Sequence, residues 1–125
     1  MATLSKTRMQ QLGYRPPLNE SEPEQLVLLD VVSDGRVAII ALNRPHADNA
    51  ITTELASQGI EALETVAART SIRCVIITGA GDRAFSVGGD LYQRKNMTQE
   101  QWLRQRQVFD RFLYTIRQMR RPMIA

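Results

Sequence analysis

The strongest constraint on the fold is a short apolar segment that lies between two helical patterns. Residues 74–78 read Cys-Val-Ile-Ile-Thr without interruption, and Gly79-Ala80-Gly81 ends the run. A continuous β-branched run of this length indicates a strand that is buried on both faces, as in largely parallel sheets covered by helices. The sequence therefore predicts an α/β fold with crossover connections.

A β-hairpin is predicted before this strand. Residues 26–32 and 36–42 are rich in β-forming residues, and Asp34-Gly35 between them is typical of a two-residue hairpin turn. Asn43-Arg44-Pro45 ends the second strand, because a residue that precedes proline is held extended.

Two amphipathic helices are predicted on either side of residues 74–78. The first spans residues 52–69, with Thr52 or Thr53 as its N-cap. The second opens on a capping-box pattern at Thr98 and Gln101 and stops before Pro122, after which residues 123–125 start a further strand. The apolar residues expected in the core are Ala56, Ile60, Leu63 and Ala67 of the first helix and Trp102, Phe109, Phe112, Leu113, Ile116 and Met119 of the second.

Length and composition fit one domain. The chain has 125 residues, of which 43% are hydrophobic and 23% charged, and no apolar run approaches the roughly 20 residues that span a bilayer. Residues 1–24 are predicted to be a disordered tail, basic at first and then acidic, which leaves residues 25–125 as the domain. The lone Cys74 excludes an intrachain disulfide and is expected in the core, and the cytoplasm is the predicted compartment.

Two loops follow the predicted strands and are expected to converge. Residues 43–51 leave the second strand and residues 83–91 follow the third, so both lie at the carboxyl edge of the sheet, where α/β folds bind ligands. Gly88 and Gly89 let the backbone approach a ligand closely. A helical turn after Asp90 would direct free N–H groups and a positive dipole end at an anion, which predicts an oxyanion-binding site.

Other interpretations of these residues are weaker. Residues 79–84 match the dinucleotide fingerprint G-x-G-x-x-A, but the residues that follow form a poor helix, so a structural turn is favoured. Gly88-Gly89 taken alone is equally compatible with a loop that binds nothing. Six arginines in the last quarter suggest a nucleic-acid surface, although the aromatic residues beside them are better explained as core. They are Arg104, Arg106, Arg111, Arg117, Arg120 and Arg121.

No metal site is predicted. His46 is the only histidine, and one histidine forms neither a metal site nor a catalytic triad without partners. A surface position is therefore expected for His46.

Several motifs together resemble the enoyl-CoA hydratase/isomerase (crotonase) family. They are Leu42-Asn43-Arg44-Pro45, then Asn49-Ala50, then a helix and the Val-Ile-Ile-Thr-Gly-Ala-Gly strand, and then Ala-Phe-Ser-Val-Gly-Gly-Asp-Leu at residues 84–91. Their order and spacing are similar to the family over residues 26–125. The resemblance implies the crotonase-like (ClpP/crotonase) spiral of β-strands with crossover helices, present here as a truncated N-terminal portion.

The resemblance also implies a chemistry and a site. Family members polarise the carbonyl of an acyl-CoA thioester with two backbone N–H groups and stabilise an enolate oxyanion. The first donor falls on Gly89, which is the predicted catalytic group. Coenzyme A enters as part of the substrate, and no permanently bound cofactor is implied. The implied substrate and coenzyme A contacts are Ala47, Asn49, Val87, Gly88, Gly89, Asp90 and Leu91. For Asn49 and Asp90, a turn hydrogen bond or a helix cap is an equal alternative.

The rest of the family's machinery finds no counterpart in this sequence. The second donor and the acid/base glutamates belong after the strand that starts at Met123, and the helix glutamates match no family motif. They are Glu54, Glu61, Glu64 and Glu100. The resemblance implies hydration of a 2-enoyl-CoA by a trimeric or hexameric homo-oligomer, with the 125-residue chain inactive alone. A non-catalytic acyl-CoA-binding fragment and a basic nucleic-acid module are the alternatives.

Two residues depart from the family pattern. Asp48 places an acid beside the expected coenzyme A phosphates, and Tyr92 stands where lysine is frequent. Both are expected to lower the affinity for coenzyme A, unless Arg94 and Lys95 supply the positive charge instead.

Overall fold

A single mixed sheet organises residues 25–125, the part of the chain that the computed structural model describes. Strand β1 (Val27–Val32) pairs antiparallel with β2 (Val37–Leu42), and β2 pairs parallel with β3 (Cys74–Gly79). The short strand β4 (Met123–Ile124) pairs parallel with β3. The predicted α/β arrangement is confirmed, while the predicted tail of residues 1–24 lies outside the described residues.

Helices form the crossovers between the parallel strands. Helix α1 (Thr53–Ala68) joins β2 to β3, with Thr52 as the N-cap. Helices α2 (Leu91–Lys95) and α3 (Gln99–Arg117) join β3 to β4, and the capping box at Thr98 forms as predicted. A short 3₁₀ helix, Pro45–Ala47, directly follows β2.

The hairpin turn is longer than predicted. The register pairs Val32 with Val37, so four residues and not two connect β1 to β2. Ser33, Asp34 and Gly35 all adopt positive φ angles, of 54°, 55° and 82°. The Arg36 N–H donates to the Val32 carbonyl at 3.2 Å and closes this wider loop. The Asp-Gly pair does mark the turn, but the strand register sets its length.

The core lies between the helices and one face of the sheet. Because side chains alternate along a strand, Val31, Ala38 and Val75 share a face in register, and this face packs against α1 and α3. The two helices approach closely at Gly59, where an added Cβ would lie 2.6 Å from the Phe112 ring. This packing fixes the start of both loops that leave the parallel strands.

Four expectations about burial are wrong. In α1, Val66 is fully buried and Ala67 is exposed. In α3, Trp102 and Leu113 are 40% and 50% exposed, because they flank the narrow stripe that contacts α1. Cys74 is only half-buried.

Strand β3 is also less enclosed than its apolar run suggested. Val75 and Ile77 are buried on the face that meets the helices, whereas Ile76 on the opposite face is half-buried. The prediction of burial on both faces therefore holds fully for the helix side, whereas on the opposite face Thr78 is buried and Cys74 and Ile76 are half-buried.

Candidate functional site

The two predicted loops do converge at the carboxyl edge of the sheet. Ile51 of the first loop forms a parallel bridge with Gly89 of the second. The Ile51 N–H donates to the Gly88 carbonyl at 2.7 Å, and the Asp90 N–H donates to the Ile51 carbonyl at 2.9 Å. The loops are therefore joined, although 37 residues lie between Ile51 and Gly89 along the chain.

The bridge leaves the backbone of Gly89 unused. Ile51 makes both hydrogen bonds of the bridge, so the N–H and carbonyl of Gly89 point away from Ile51, as alternate residues of an extended segment do. Within residues 25–125 the Gly89 N–H donates to no partner. A fixed and half-buried N–H donor at this edge is what an oxyanion site requires.

Asn49 joins the two loops as a buried clamp. Its side chain is fully buried; Oδ1 accepts from the Arg44 N–H, and Nδ2 donates to the carbonyls of Ala80 and Ala84, each at 2.9 Å. The Ser86 hydroxyl donates to the Asn49 carbonyl at 2.7 Å. Both donors of the amide are satisfied by carbonyls of the protein, so this side chain has a structural role in holding the two loops together.

A buried ion pair makes a second connection. The Arg44 guanidinium donates from Nη1 to Asp90 Oδ2 at 2.9 Å and to the Ala50 carbonyl at 2.7 Å. The two side chains are only 6% and 10% exposed. Asp90 Oδ1 accepts from the Gln93 N–H at 3.0 Å, so Asp90 is also the N-cap of α2. Asp90 thus fixes the residue that directly follows Gly89.

The electrostatics of Asp90 follow from these contacts. Burial raises the pKa of its carboxyl, but the backbone N–H groups at the start of α2 and the hydrogen bond and charge of Arg44 outweigh burial. The net result is a pKa below the usual aspartate value.

This lowered pKa predicts a pH dependence of stability. A depressed carboxyl pKa stabilises the fold fully above the unfolded value of about 3.9, and that stabilisation is lost as the pH falls through the folded value. We expect Asp90→Asn to lower the free energy of unfolding by about 2 kcal/mol at neutral pH. The deficit should shrink below about pH 4 in urea titrations. A deficit that is constant down to the lowest pH would contradict this role.

A hydrogen-bond network centred on Gln105 connects helix α2 to helices α1 and α3. Gln105 of α3 is 2% exposed and donates from Nε2 to Gln93 Oε1 at 2.7 Å and to the Thr53 hydroxyl at 3.0 Å. Its own Oε1 accepts from Arg94 Nε at 3.1 Å. The sequence interpretation missed Arg44, Gln93 and Gln105. The sequence did contain a signal for Gln105, because this glutamine stands among apolar residues on one stripe of α3.

The other predicted contacts lie around Gly89 without enclosing it. Ala47 ends the 3₁₀ helix, and its carbonyl accepts from Ala50 in the same turn. Gly88 is exposed with a φ of +89°, and Val87 and Leu91 are 63% and 74% exposed. These residues form an accessible apolar rim beside the Gly89 N–H.

The two residues that depart from the family pattern differ in their surroundings: Asp48 has a protein partner and Tyr92 is exposed. Asp48 Oδ2 accepts from Arg83 at 3.1 Å, which offsets the negative charge that was expected to repel phosphate. Tyr92 is 87% exposed. His46 is exposed, as predicted.

The competing interpretations find little structural support. Residues 80–83 form bends after β3, and no helix begins between Gly79 and Leu91, which is incompatible with the dinucleotide fingerprint. Several arginines of the last quarter are engaged: Arg104, Arg106 and Arg111 with carboxylates, and Arg121 with carbonyls that end α1. These contacts tie the arginines to the protein itself.

Residues 25–125 contain neither a candidate metal site nor a candidate membrane-spanning helix. Among residues 25–125, no group of three or more histidine, cysteine, aspartate or glutamate side chains could hold a metal ion. None of the helices in that range is long and apolar enough to cross a membrane.

Solved structures of other proteins have the same fold as residues 25–125. The crystal structure of an enoyl-CoA hydratase from Bacillus anthracis is 30% identical in sequence and superposes with a TM-score of 0.76. The match covers 81% of this chain and 39% of the Bacillus chain. An enoyl-CoA hydratase structure from Mycobacterium smegmatis is 31% identical, covers 82% of this chain and 39% of its own, and gives 0.74. The short-chain-enoyl-CoA hydratase of Clostridium acetobutylicum is 31% identical over 64 residues, which are 51% of this chain and 24% of that protein.

These likenesses define an α/β protein of the crotonase fold. The sequence profile described as enoyl-CoA hydratase/isomerase matches residues 33–125, and the chain belongs to that family. The chain spans about two fifths of the length of the relatives that it matches over most of its residues. The predicted family and fold are confirmed.

Proposed function

We propose that the protein binds acyl-CoA thioesters and polarises the thioester carbonyl with the Gly89 N–H. The observation that carries this proposal is the orientation of that N–H, which the bridge to Ile51 turns outward and leaves without a partner in residues 25–125. The Asn49 clamp and the Arg44–Asp90 ion pair hold it in place before any ligand arrives. A donor fixed in advance does not need to reorganise as negative charge develops on the oxygen.

The neighbouring residues suit a coenzyme A ester. The exposed apolar rim of Val87 and Leu91 provides contact for the acyl and pantetheine groups, while Ala47 and Gly88 present backbone close to it. In this proposal Asn49 and Asp90 act by shaping the loops, since their side chains are occupied by protein partners.

Oxyanion stabilisation needs more than one group. Removing one donor from such a site costs about 3 kcal/mol of transition-state stabilisation, so Gly89 functions as half of a pair.

Of the helix glutamates, Glu54, Glu64 and Glu100 bind Gln93, Arg111 and Arg104. We assign no acid/base group among residues 25–125, and we expect residues 1–125 alone to bind acyl-CoA without turning it over. Hydration of a 2-enoyl-CoA is the reaction proposed for the whole protein.

Calorimetric titration with acetoacetyl-CoA tests the role of Gly89. We expect saturable binding by residues 1–125, weakened at least about tenfold in Gly89→Pro, which lacks the N–H. Gln99→Pro is the matched control, because it removes an N–H at the exposed first position of α3, where proline is tolerated. Circular dichroism confirms that each variant is folded.

A ligand-side comparison keeps the test valid if Gly89→Pro does not fold. Butyryl-CoA has the thioester carbonyl, whereas its thioether analogue S-butyl-CoA lacks the oxygen that Gly89 would bind. The unmodified chain should bind butyryl-CoA more tightly. Equal affinity for the two ligands, or no binding of either by a folded chain, would overturn the proposal.

A further inference from the structure

Arg94 lies unusually close to the backbone of Gly89. A Cβ built on Gly89 would meet Arg94 Nη2 at 2.6 Å and Cζ at 3.0 Å, so the guanidinium packs directly against the glycine Cα. The Cβ position lies two covalent bonds from the backbone nitrogen of Gly89. Adding that span to the 2.6 Å between Cβ and Nη2 shows that Nη2 is no more than about 5 Å from the Gly89 nitrogen. A cationic group therefore stands beside the proposed thioester oxygen.

Two residues of helix α3 contact the Arg94 guanidinium and fix its position. Arg94 Nε donates to Oε1 of the buried Gln105 at 3.1 Å, and the guanidinium lies over the Phe109 ring at 5.5 Å. Gln105 is oriented in turn by its hydrogen bonds to Gln93 and Thr53. The long side chain is thus anchored at Nε and over one face, which reduces the entropy that it would lose on binding a ligand.

The outer edge of the guanidinium has no protein partner. Among residues 25–125, neither Nη1 nor Nη2 of Arg94 donates to any acceptor, and no carboxylate forms an ion pair with this side chain. The nearest acid along the chain, Asp90, already pairs with Arg44. Two parallel N–H donors on a fixed guanidinium match the two oxygens of a carboxylate.

We propose that Arg94 is a specificity-determining residue that binds a carboxylate carried by the acyl group of the substrate. This inference rests on the proposed function, since the Gly89 N–H must hold the thioester oxygen for the acyl group to point at Arg94. The distance between the two donors suits a carboxylate about one or two carbons beyond the thioester carbonyl. The preferred ligands are accordingly coenzyme A esters of short dicarboxylic acids.

Matched pairs of esters test the inference on the unmodified chain. Succinyl-CoA and butyryl-CoA have acyl chains of equal length and differ in the terminal carboxylate, and malonyl-CoA and propionyl-CoA form a shorter pair. We expect one or both carboxylated esters to bind about 10- to 100-fold more tightly than their partners, as for hydrogen bonds to a charged group. Arg94→Gln should abolish this preference, so that the two esters of each pair bind with equal affinity.

Control variants separate the possible roles of the arginine. Arg94→Lys, which keeps the charge but lacks the two-pronged geometry, should retain part of the preference. Arg117→Gln removes an exposed arginine from the last turn of α3 and should retain all of it. A purely structural Arg94 would lower the stability of Arg94→Gln without altering the ratio between paired esters.

Each outcome has a distinct meaning. If Arg94→Gln weakens all four esters equally, the arginine serves coenzyme A phosphates or the thioester, and the carboxylate assignment is wrong. If the wild-type chain binds the esters of both pairs equally, the assignment is wrong although the proposed function survives. If a folded chain binds none of the esters, the proposed function fails and this inference fails with it.

Discussion

Asn49→Asp should destabilise the fold by about 4 kcal/mol or more at neutral pH. The change preserves shape and the tolerance of aspartate for the φ of +56° at this position. It replaces the amide Nδ2, which donates to two carbonyls at 2.9 Å, with a carboxylate oxygen that those carbonyls repel. The site is fully buried, so no water compensates for the lost donors.

Urea unfolding monitored by circular dichroism measures this effect, and Asn96→Asp provides the matched control on the exposed end of α2. The control should change the free energy of unfolding by less than about 0.5 kcal/mol. The deficit of Asn49→Asp should also shrink as the pH falls, because a protonated carboxyl donates one hydrogen bond again. A loss below about 1 kcal/mol at neutral pH would show that Asn49 does not clamp the loops.

Gly79→Ala should destabilise the protein by more than about 3 kcal/mol and loosen the second loop. Its added Cβ would lie 2.3 Å from the Phe85 carbonyl oxygen, 2.6 Å from that of Ala84 and 2.6 Å from Asn49 Nδ2. Two of these neighbours are backbone atoms, so no side-chain rotation relieves the clash. The loop must move away from the strand and break the hydrogen bonds to Asn49.

The hairpin offers a control with the same substitution. Gly35 has open space around its Cβ position but a φ of +82°, so Gly35→Ala imposes backbone strain without a steric clash. We expect a loss of about 1 to 2 kcal/mol there, clearly less than at Gly79. Equal losses in thermal unfolding at the two positions would contradict the close approach of the second loop to the end of β3.

The order of the elements was predictable because it depends on local patterns. The apolar run of residues 74–78 and the helical spacing in residues 52–69 are visible in short windows of sequence. The same is true of the short helix that follows Asp90, since an aspartate after two glycines is typical of a helix N-cap. These elements were found at the expected positions.

The supporting contacts were harder to predict because they join distant residues. Arginine is rarely buried without a partner, and the carboxylate that pairs with the buried Arg44 belongs to Asp90, 46 residues further along the chain. No local pattern reports that pairing. Trp102 and Leu113 were predicted to be buried and are exposed instead. The apolar stripe on α3 is wider than the surface of that helix that contacts α1.

The hydrogen bond from the Gly89 N–H to the thioester oxygen is tested most directly by the amide NMR spectrum of the chain labelled with ¹⁵N-glycine. The chain contains only seven glycines, so the spectrum is simple. Acetoacetyl-CoA is titrated into the sample, and the shift of each glycine N–H is followed. We expect a saturable downfield shift of the Gly89 proton, because its N–H acquires an acceptor, while the signal of Gly35 in the hairpin stays unchanged. Saturable binding that leaves the Gly89 signal in place, or no binding by the folded chain, would contradict this hydrogen bond.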